Sequence, residues 1–368
     1  MFFIIAIILF LYALMINSFI IGWNRIKNDT CDVSIKVSVI ICVRNESTNI
    51  KKLVKSLKNQ NYNKSLYNVI IVDDHSDDKS WKLLCEEKLN WPELQLLAMD
   101  ANEYGKKKAL SKAISFSDSE VILTSDADCI FSTEWIKSMT SCFINDKINL
   151  ASGPVSFNYQ STVFNQIQTL EFLSLIASGA AAIGLNRPIF CNGANLAYRR
   201  KVFLEVSNYD DSDIVSGDDV FLLHMVKKVY PGSILFIKKF EAIVFTDSIS
   251  TFRQFINQRI RWVSKSSSYK DAYTIYTSLL VFFVNSLLIF LLFLSFYDHI
   301  FINIFTVFIL LKFFLDFIFF KSILVFFKRL DLIKWVFPLQ IIYSFYITFI
   351  TLLSSFLSFN WKGRIQKK

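Results

Sequence analysis

The chain has 368 residues, 53% of them hydrophobic, with 38 Phe and a mean hydropathy of +0.40. That is too apolar for an ordinary soluble domain. The net charge of +9 suits a protein lying against an anionic membrane surface, and without a nucleic-acid-binding motif it does not point to nucleic acid.

The apolar excess begins at once. Phe2 to Gly22 is uncharged and long enough to cross a bilayer core, which takes ~20 helical residues. No basic residue precedes it and no small-x-small cleavage site follows, so it reads as an uncleaved anchor rather than a signal peptide. Arg25 and Lys27 follow it, and the positive-inside tendency places the next region in the cytoplasm. The six cysteines (Cys31, Cys42, Cys85, Cys129, Cys142 and Cys191) make no CxxC pair and read as thiols of a reducing compartment.

Next come alternating strand and helix patterns. Lys36 to Val43 is a continuous apolar strand, and Glu46 to Gln60 has helical spacing. Val69 to Val72 is a strand, Lys82 to Leu89 a helix, and Leu94 to Ala98 a short strand. Lys106 to Phe116 is helical and Val121 to Thr124 is another strand. Such alternation predicts an α/β domain whose mostly parallel sheet is covered on both faces. Ligands of these sheets sit beyond the carboxyl ends of the strands. The polar residues cluster there: Arg44 and Glu46, then Asp73 and Asp74, then Asp126 and Asp128.

Five stretches carry chemistry. VIIVDDHSDD (Val69 to Asp78) ends a strand in two carboxylates; a phospho-receiver would carry that acidic pair after its first strand, whereas here a strand and helix come first. SDADC (Ser125 to Cys129) is an Asp-x-Asp pair of hard oxygen ligands, suited to Mg²⁺ or Mn²⁺ against a diphosphate. GKKKAL (Gly105 to Leu110) sets Lys106 at a helix start, where it meets phosphate or ribose, or only solvent. SGDDVFLL (Ser216 to Leu223) sets two carboxylates before an apolar helix; they can cap it, and one can serve as a general base, capping explaining Asp218 better than Asp219. QRIRW (Gln258 to Trp262) offers arginine for phosphate and tryptophan for a sugar face, or a basic belt at the membrane surface.

Ala272 to Tyr297, Ile300 to Phe320 and Trp335 to Phe359 are further spans. Their charges are Lys312 and Asp316, an i,i+4 pair on one helix face. Ser174 to Ile183 (SLIASGAAAI) is too short to span and reads as a buried or interfacial helix. The expected domains are an anchor (1–23), a cytosolic domain (24–271), a membrane block of about three helices (272–361) and a basic tail (362–368).

The five stretches in this order resemble the family 2 inverting glycosyltransferases. The likeness is to the membrane-embedded branch with cellulose, hyaluronan and poly-N-acetylglucosamine synthases and ceramide glucosyltransferase, and it covers Val37 to Trp262. It implies a GT-A fold and a nucleotide-sugar donor, usually UDP-linked. By that likeness Arg44, Glu46, Asp73, Asp74 and Lys106 face the nucleotide sugar, Asp126 approaches the nucleotide, and Asp126 with Asp128 holds Mg²⁺ or Mn²⁺. Asp219 falls at the catalytic base, and Gln258, Arg261 and Trp262 match a Gln-x-x-Arg-Trp motif near the diphosphate and acceptor. FCNGANLAYRR (Phe190 to Arg200) resembles the acceptor-side strand and turn. Cys42 stands where a proline is common and Asp218 where a glutamate is usual; neither change removes a required charge. The resemblance implies an inner-membrane enzyme of a bacterium with its catalytic domain in the cytoplasm. The thin, nearly all-apolar membrane block favours a lipid acceptor over a growing glycan. A non-catalytic scaffold of this fold is the remaining class, and the full set of carboxylates speaks against it.

Overall fold

The computed structural model describes residues 2–27, 34–207, 218–354, 359–361 and 364–366. Cys31, Ser216, Gly217 and most of the basic tail lie outside them, and of Asp218 only the backbone is described. In chain order, a 24-residue helix α1 (Phe2–Arg25) precedes β1 (Val37–Val43), α2 (Ile50–Lys58), β2 (Tyr67–Asp73), α3 (Ser80–Asn90) and β3 (Leu94–Ala98). There follow α4 (Lys106–Phe116), β4 (Val121–Asp126), α5 (Trp135–Thr140), β5 (Leu150–Ser152), β6 (Val155–Phe157) and α6 (Val163–Gly184). Next are β7 (Leu196–Arg199), α7 (Arg200–Ser207), α8 (Asp218–Val229), β8 (Ile234–Phe236) and β9 (Val244–Thr246). Last come α9 (Phe252–Ser264), α10 (Ala272–Leu294), α11 (His299–Phe326) and α12 (Val336–Ser354).

The chain divides into two compact units. One comprises residues 24–158 and 182–247; the other comprises 1–23, 159–181 and 248–368. The expected boundary near residue 271 therefore differs from the division seen here: α6 and α9 group with the apolar helices, not with the sheet.

The first unit is built on a seven-stranded sheet of order β3-β2-β1-β4-β7-β5-β8. Strands β3, β2, β1 and β4 are parallel, and β7 runs antiparallel between β4 and β5. β1 (VSVIICV) is apolar on both faces because helices cover both; all but one of its residues are buried. From β1 the chain moves outward to β2 and β3, then returns to place β4 on the other side of β1. That reversal makes a switch point at the carboxyl ends of β1 and β4, where an open α/β sheet leaves a crevice. The register aligns Val43 with Asp73 and Cys42 with Asp126, so two acidic strand ends flank β1.

The second unit holds the long apolar helices. Among the described residues five segments are long and apolar enough to cross a membrane: α1, α6, α10, α11 and Leu330–Ser354. The α6 segment is longer than its small apolar core implied, at 22 residues. Asn165, Gln166, Gln168 and Glu171 break the apolar run and hide the helix start. These polar residues are accommodated within the unit: Asn165 donates to Ser248 Oγ at 2.7 Å and Gln168 to the Ile249 carbonyl at 2.9 Å. The Lys312–Asp316 pair is buried and is more than local. Lys312 Nζ donates to Asp316 Oδ2 at 2.8 Å and to Gln340 Oε1 at 2.6 Å, while Tyr12 donates to Asp316 Oδ1 at 2.6 Å.

Candidate active site

The acidic strand ends converge in the sheet unit. Asp73 closes β2 and is buried; its Oδ2 accepts from the Ser76 N–H at 3.1 Å, while its Oδ1 is buried without a hydrogen-bond partner among the described residues. Asp74 is also buried. Its Oδ2 accepts from the Gly105 N–H at 3.1 Å, and its Oδ1 meets the His75 Nδ1 at 3.2 Å. Gly105 has φ of 99°, a conformation that a side chain strains to adopt. That turn brings the amino end of α4 against β2 and sets Lys106 inward. Arg44 donates to the Asp74 carbonyl at 3.0 Å, and Glu46 accepts from Asn49 at 2.7 Å. The His75 ring lies 4.6 Å from that of Tyr104, a pair the sequence did not single out.

Lys106 turns inward to Asp126 and forms an ion pair with it. Burial works against its ammonium, but the Asp126 carboxylate, with Cys42 and Asp219 further off, holds it above the usual lysine range.

Asp128 is held from a distant part of the chain. Its Oδ2 accepts from Thr246 at 3.0 Å across 118 positions. The link exists because Ile130 bridges Phe245 and lays β9 beside the Asp-x-Asp turn. Burial first, and the neighbouring Asp126 carboxylate second, push the Asp128 carboxyl up to about 6. A small cleft lined by Asn49, Lys52, Asp128, Ile130 and Asp247 opens beside it. The two carboxylates fit a divalent cation: both are hard oxygen donors, and a crowded, desolvated anion is relieved by a positive charge. Among the described residues no cluster of three or more His, Cys, Asp and Glu side chains could hold a metal alone. A bound substrate's oxygens and water would complete the shell.

Asp219 sits in the first turn of α8. Its Oδ2 accepts from the Gly193 N–H at 2.8 Å, and its Oδ1 from the Val220 N–H at 2.9 Å. Gly193 belongs to the Phe190 to Arg200 stretch, so that turn fixes the aspartate. Sequence reading missed Thr246 and Gly193 as supports, because neither neighbours its partner in the chain. Gln258, Arg261 and Trp262 lie on α9 in the other unit, at positions i, i+3 and i+4 and thus on one helical face.

The Glycosyl transferase family 2 model matches residues 38–207. Residues 38–207 are thus similar to the family 2 glycosyltransferases. The chain is 26% identical over 186 residues to "Glycosyltransferase AglE" of Haloferax volcanii, covering 50% of the chain and 59% of that protein. It is 24% identical over 183 residues to the "Poly-beta-1,6-N-acetyl-D-glucosamine synthase" of Staphylococcus epidermidis, covering 50% and 43%. A third relative is the "Beta-monoglucosyldiacylglycerol synthase" of a Nostoc species, 31% identical over 113 residues, covering 30% and 24%. The chain thus spans 59%, 43% and 24% of the lengths of these three relatives. Among solved structures, the mannosyltransferase PcManGT from Pyrobaculum calidifontis, in complex with GDP-Man and Mn²⁺, aligns with a TM-score of 0.52 at 17% identity. The alignment covers 71% of this chain and 72% of that one. The shared fold is GT-A, the mixed and mostly parallel sheet described above.

Proposed function

We propose that this glycosyltransferase moves a sugar, with inversion, from a nucleotide-sugar donor to the hydroxyl of a lipid acceptor. The observation that carries the reading is the Asp219 carboxylate. It is fixed by the Gly193 N–H and lies close enough to Lys106 for its charge to act on that ammonium. A general base is useful only when it is positioned within reach of the proton it takes. Asp73 and Asp74 face the base and ribose of the donor, with Arg44 and Glu46 beside them. Lys106 releases Asp126 when the diphosphate arrives, and its ammonium turns to the phosphate. Mg²⁺ or Mn²⁺ held by Asp126 and Asp128 would neutralise the charge on the departing diphosphate. Asp219 takes the proton from the acceptor hydroxyl as that oxygen attacks the anomeric carbon from the opposite face. Gln258, Arg261 and Trp262 carry the Gln-x-x-Arg-Trp motif of the family that this chain resembles.

A UDP-sugar is the donor we favour, from the family likeness. A lipid acceptor is favoured by the thin, nearly all-apolar membrane helices: the buried Lys312–Asp316 pair is engaged with Tyr12 and Gln340. We infer that the sheet unit faces the cytoplasm, a reading supported by the basic residues after α1 and between α11 and α12.

The test uses membranes carrying the protein, a panel of labelled nucleotide sugars and Mg²⁺ or Mn²⁺. Label extracted into organic solvent is the expected result. Label in solvent-insoluble polymer would overturn the lipid acceptor and make the enzyme a processive synthase. Chelation should abolish transfer, and either metal should restore it. Asp219→Asn should lower turnover by about 10²-fold or more while leaving thermal melting unchanged. No label with any donor, or an Asp219→Asn variant as active as the parent, would leave the fold without this chemistry.

A further inference from the structure

The second position of the QRIRW stretch, Arg259, carries a charge that sequence reading passed over. Arg259 is 2% exposed, the most deeply buried arginine side chain of its helix. Its Nε donates to Glu171 Oε1 at 3.0 Å and its second guanidinium nitrogen to Glu171 Oε2, a two-point grip across α6 and α9. Tyr346 of α12 adds a third link, donating to Glu171 Oε1 at 3.3 Å. The remaining nitrogen, Nη1, donates to Gln258 Oε1. The guanidinium carbon lies 4.3 Å from the centre of the Trp262 ring and 4.5 Å from that of Phe255. One buried guanidinium thus touches Gln258 and Trp262 at once.

The geometry has a chemical consequence. A guanidinium has only donors, so the Gln258 amide must turn its oxygen inward to meet it. The NH₂ end is then the one that faces outward. An amide free to flip would offer an acceptor half the time; this one is set to offer a donor. A donor suits a ligand whose exposed atoms are oxygens, such as a diphosphate or a sugar hydroxyl. The ring of Trp262 is fixed in the same stroke, because a planar cation stacked on an indole resists its rotation. Carrying two buried charges to hold two side chains is costly in desolvation, and a pair of apolar residues would pack there at least as well. The pair makes sense where orientation matters.

We propose that Arg259, clamped by Glu171, is a positioning residue: it fixes the Gln258 amide and the Trp262 ring for an oxygen-rich ligand and does not touch that ligand itself. The inference rests on the glycosyltransferase reading of the site.

Arg259→Lys is the decisive variant. Lysine keeps the charge and the ion pair with Glu171, but one ammonium cannot span Glu171, Gln258 and Trp262 as the fork does. The variant should melt like the parent in detergent, yet lose about tenfold or more in kcat, a loss typical of misplaced reacting groups, with a smaller change in donor KM. Gln258→Ala should lose a similar factor, and the double variant should lose no more than either alone, because both act through one amide. Glu171→Gln, which keeps an acceptor for Arg259 but frees its orientation, should repeat the pattern and serves in its place if Arg259→Lys does not fold. Parent-like turnover in Arg259→Lys, or additive losses in the double variant, would overturn the positioning role and leave a purely structural ion pair. Parent protein that transfers no sugar from any donor would instead overturn the glycosyltransferase reading, and the two failures are read from different proteins.

Discussion

Gly193 has little room for a side chain. A Cβ there would lie 3.3 Å from Asp219 Oδ2 and 3.4 Å from its Cβ, so either the turn or the aspartate has to shift by a few tenths of an ångström. Its N–H is also the bond that aims the carboxylate. The glycine therefore does two jobs at one point, and substituting it separates catalysis from binding. Gly193→Ala should lower turnover by about tenfold, since small misplacements of a base are costly, while donor binding stays close to the parent's. The comparison is kcat against the Kd of the free nucleotide. Equal activity would mean that Asp219 is not held by this turn. The same residue shows what was not legible in the chain. Asp219 stands out as a carboxylate before an apolar helix, but its support lies 26 positions upstream. The support of Asp128 lies 118 positions away at Thr246. Carboxylates with catalytic spacing can be read along the chain; the hydrogen bonds that aim them arise only when distant strands are laid side by side.

The loops after β1 and β2 are laced together by short polar side chains. Ser47 and Ser80 backbone N–H groups donate to the two oxygens of Asp78, at 3.1 and 2.8 Å. Glu46 N–H donates to Ser80 Oγ at 2.8 Å, and Asp77 N–H to Asn45 Oδ1 at 3.0 Å. Asn45 and His75 hold positive φ of 53° and 57° in these loops, which asparagine tolerates well and histidine less so. Slight burial works to raise the Asp78 carboxyl, but the hydrogen bonds from Ser80 and Ser47 outweigh it and hold it down at about 2. A carboxylate that is more acidic in the folded chain stabilises the fold above its unfolded value, near 4, and loses that contribution as pH falls toward 2. Asp78→Ala should therefore cost about 1 kcal/mol at neutral pH, a modest figure because solvent screens the group. The gap in melting temperature between variant and parent should close as pH approaches 2. A gap that persists there would mean that the loss is one of packing. At this scale the sequence was informative. The strands from β1 to β4 and helix α4 follow directly from their apolar periodicity, and the strand ends carry the acids. The length of α6 did not follow, because its polar first turns find their partners only in the folded unit.

A buried polar knot joins α1, α11 and α12. Tyr12 near the start of the chain reaches Asp316, 304 positions on, and Gln340 of α12 donates to the same carboxylate at 3.0 Å while accepting from Lys312. A close pair at 312 and 316 is what i,i+4 spacing dictates. The links to α1 and α12 could not be read from spacing, since Tyr12 and Gln340 look like ordinary residues of apolar segments. The knot makes α1 a packed member of its unit rather than a simple tether. Every charge and amide in it is satisfied by another, so removing one member strands the rest. Asp316→Ala would leave the Lys312 ammonium buried without its counter-ion, and breaking a buried pair in this way costs about 3–5 kcal/mol. Replacing both charges, as Lys312→Met with Asp316→Met, removes the stranded charge along with the attraction. That double variant should be markedly closer to the parent than Asp316→Ala. Thermal melting of the purified protein in detergent ranks the three. A single variant as stable as the parent would show that water or detergent reaches Lys312, and the knot would then be a surface feature of the helices instead of their internal tie.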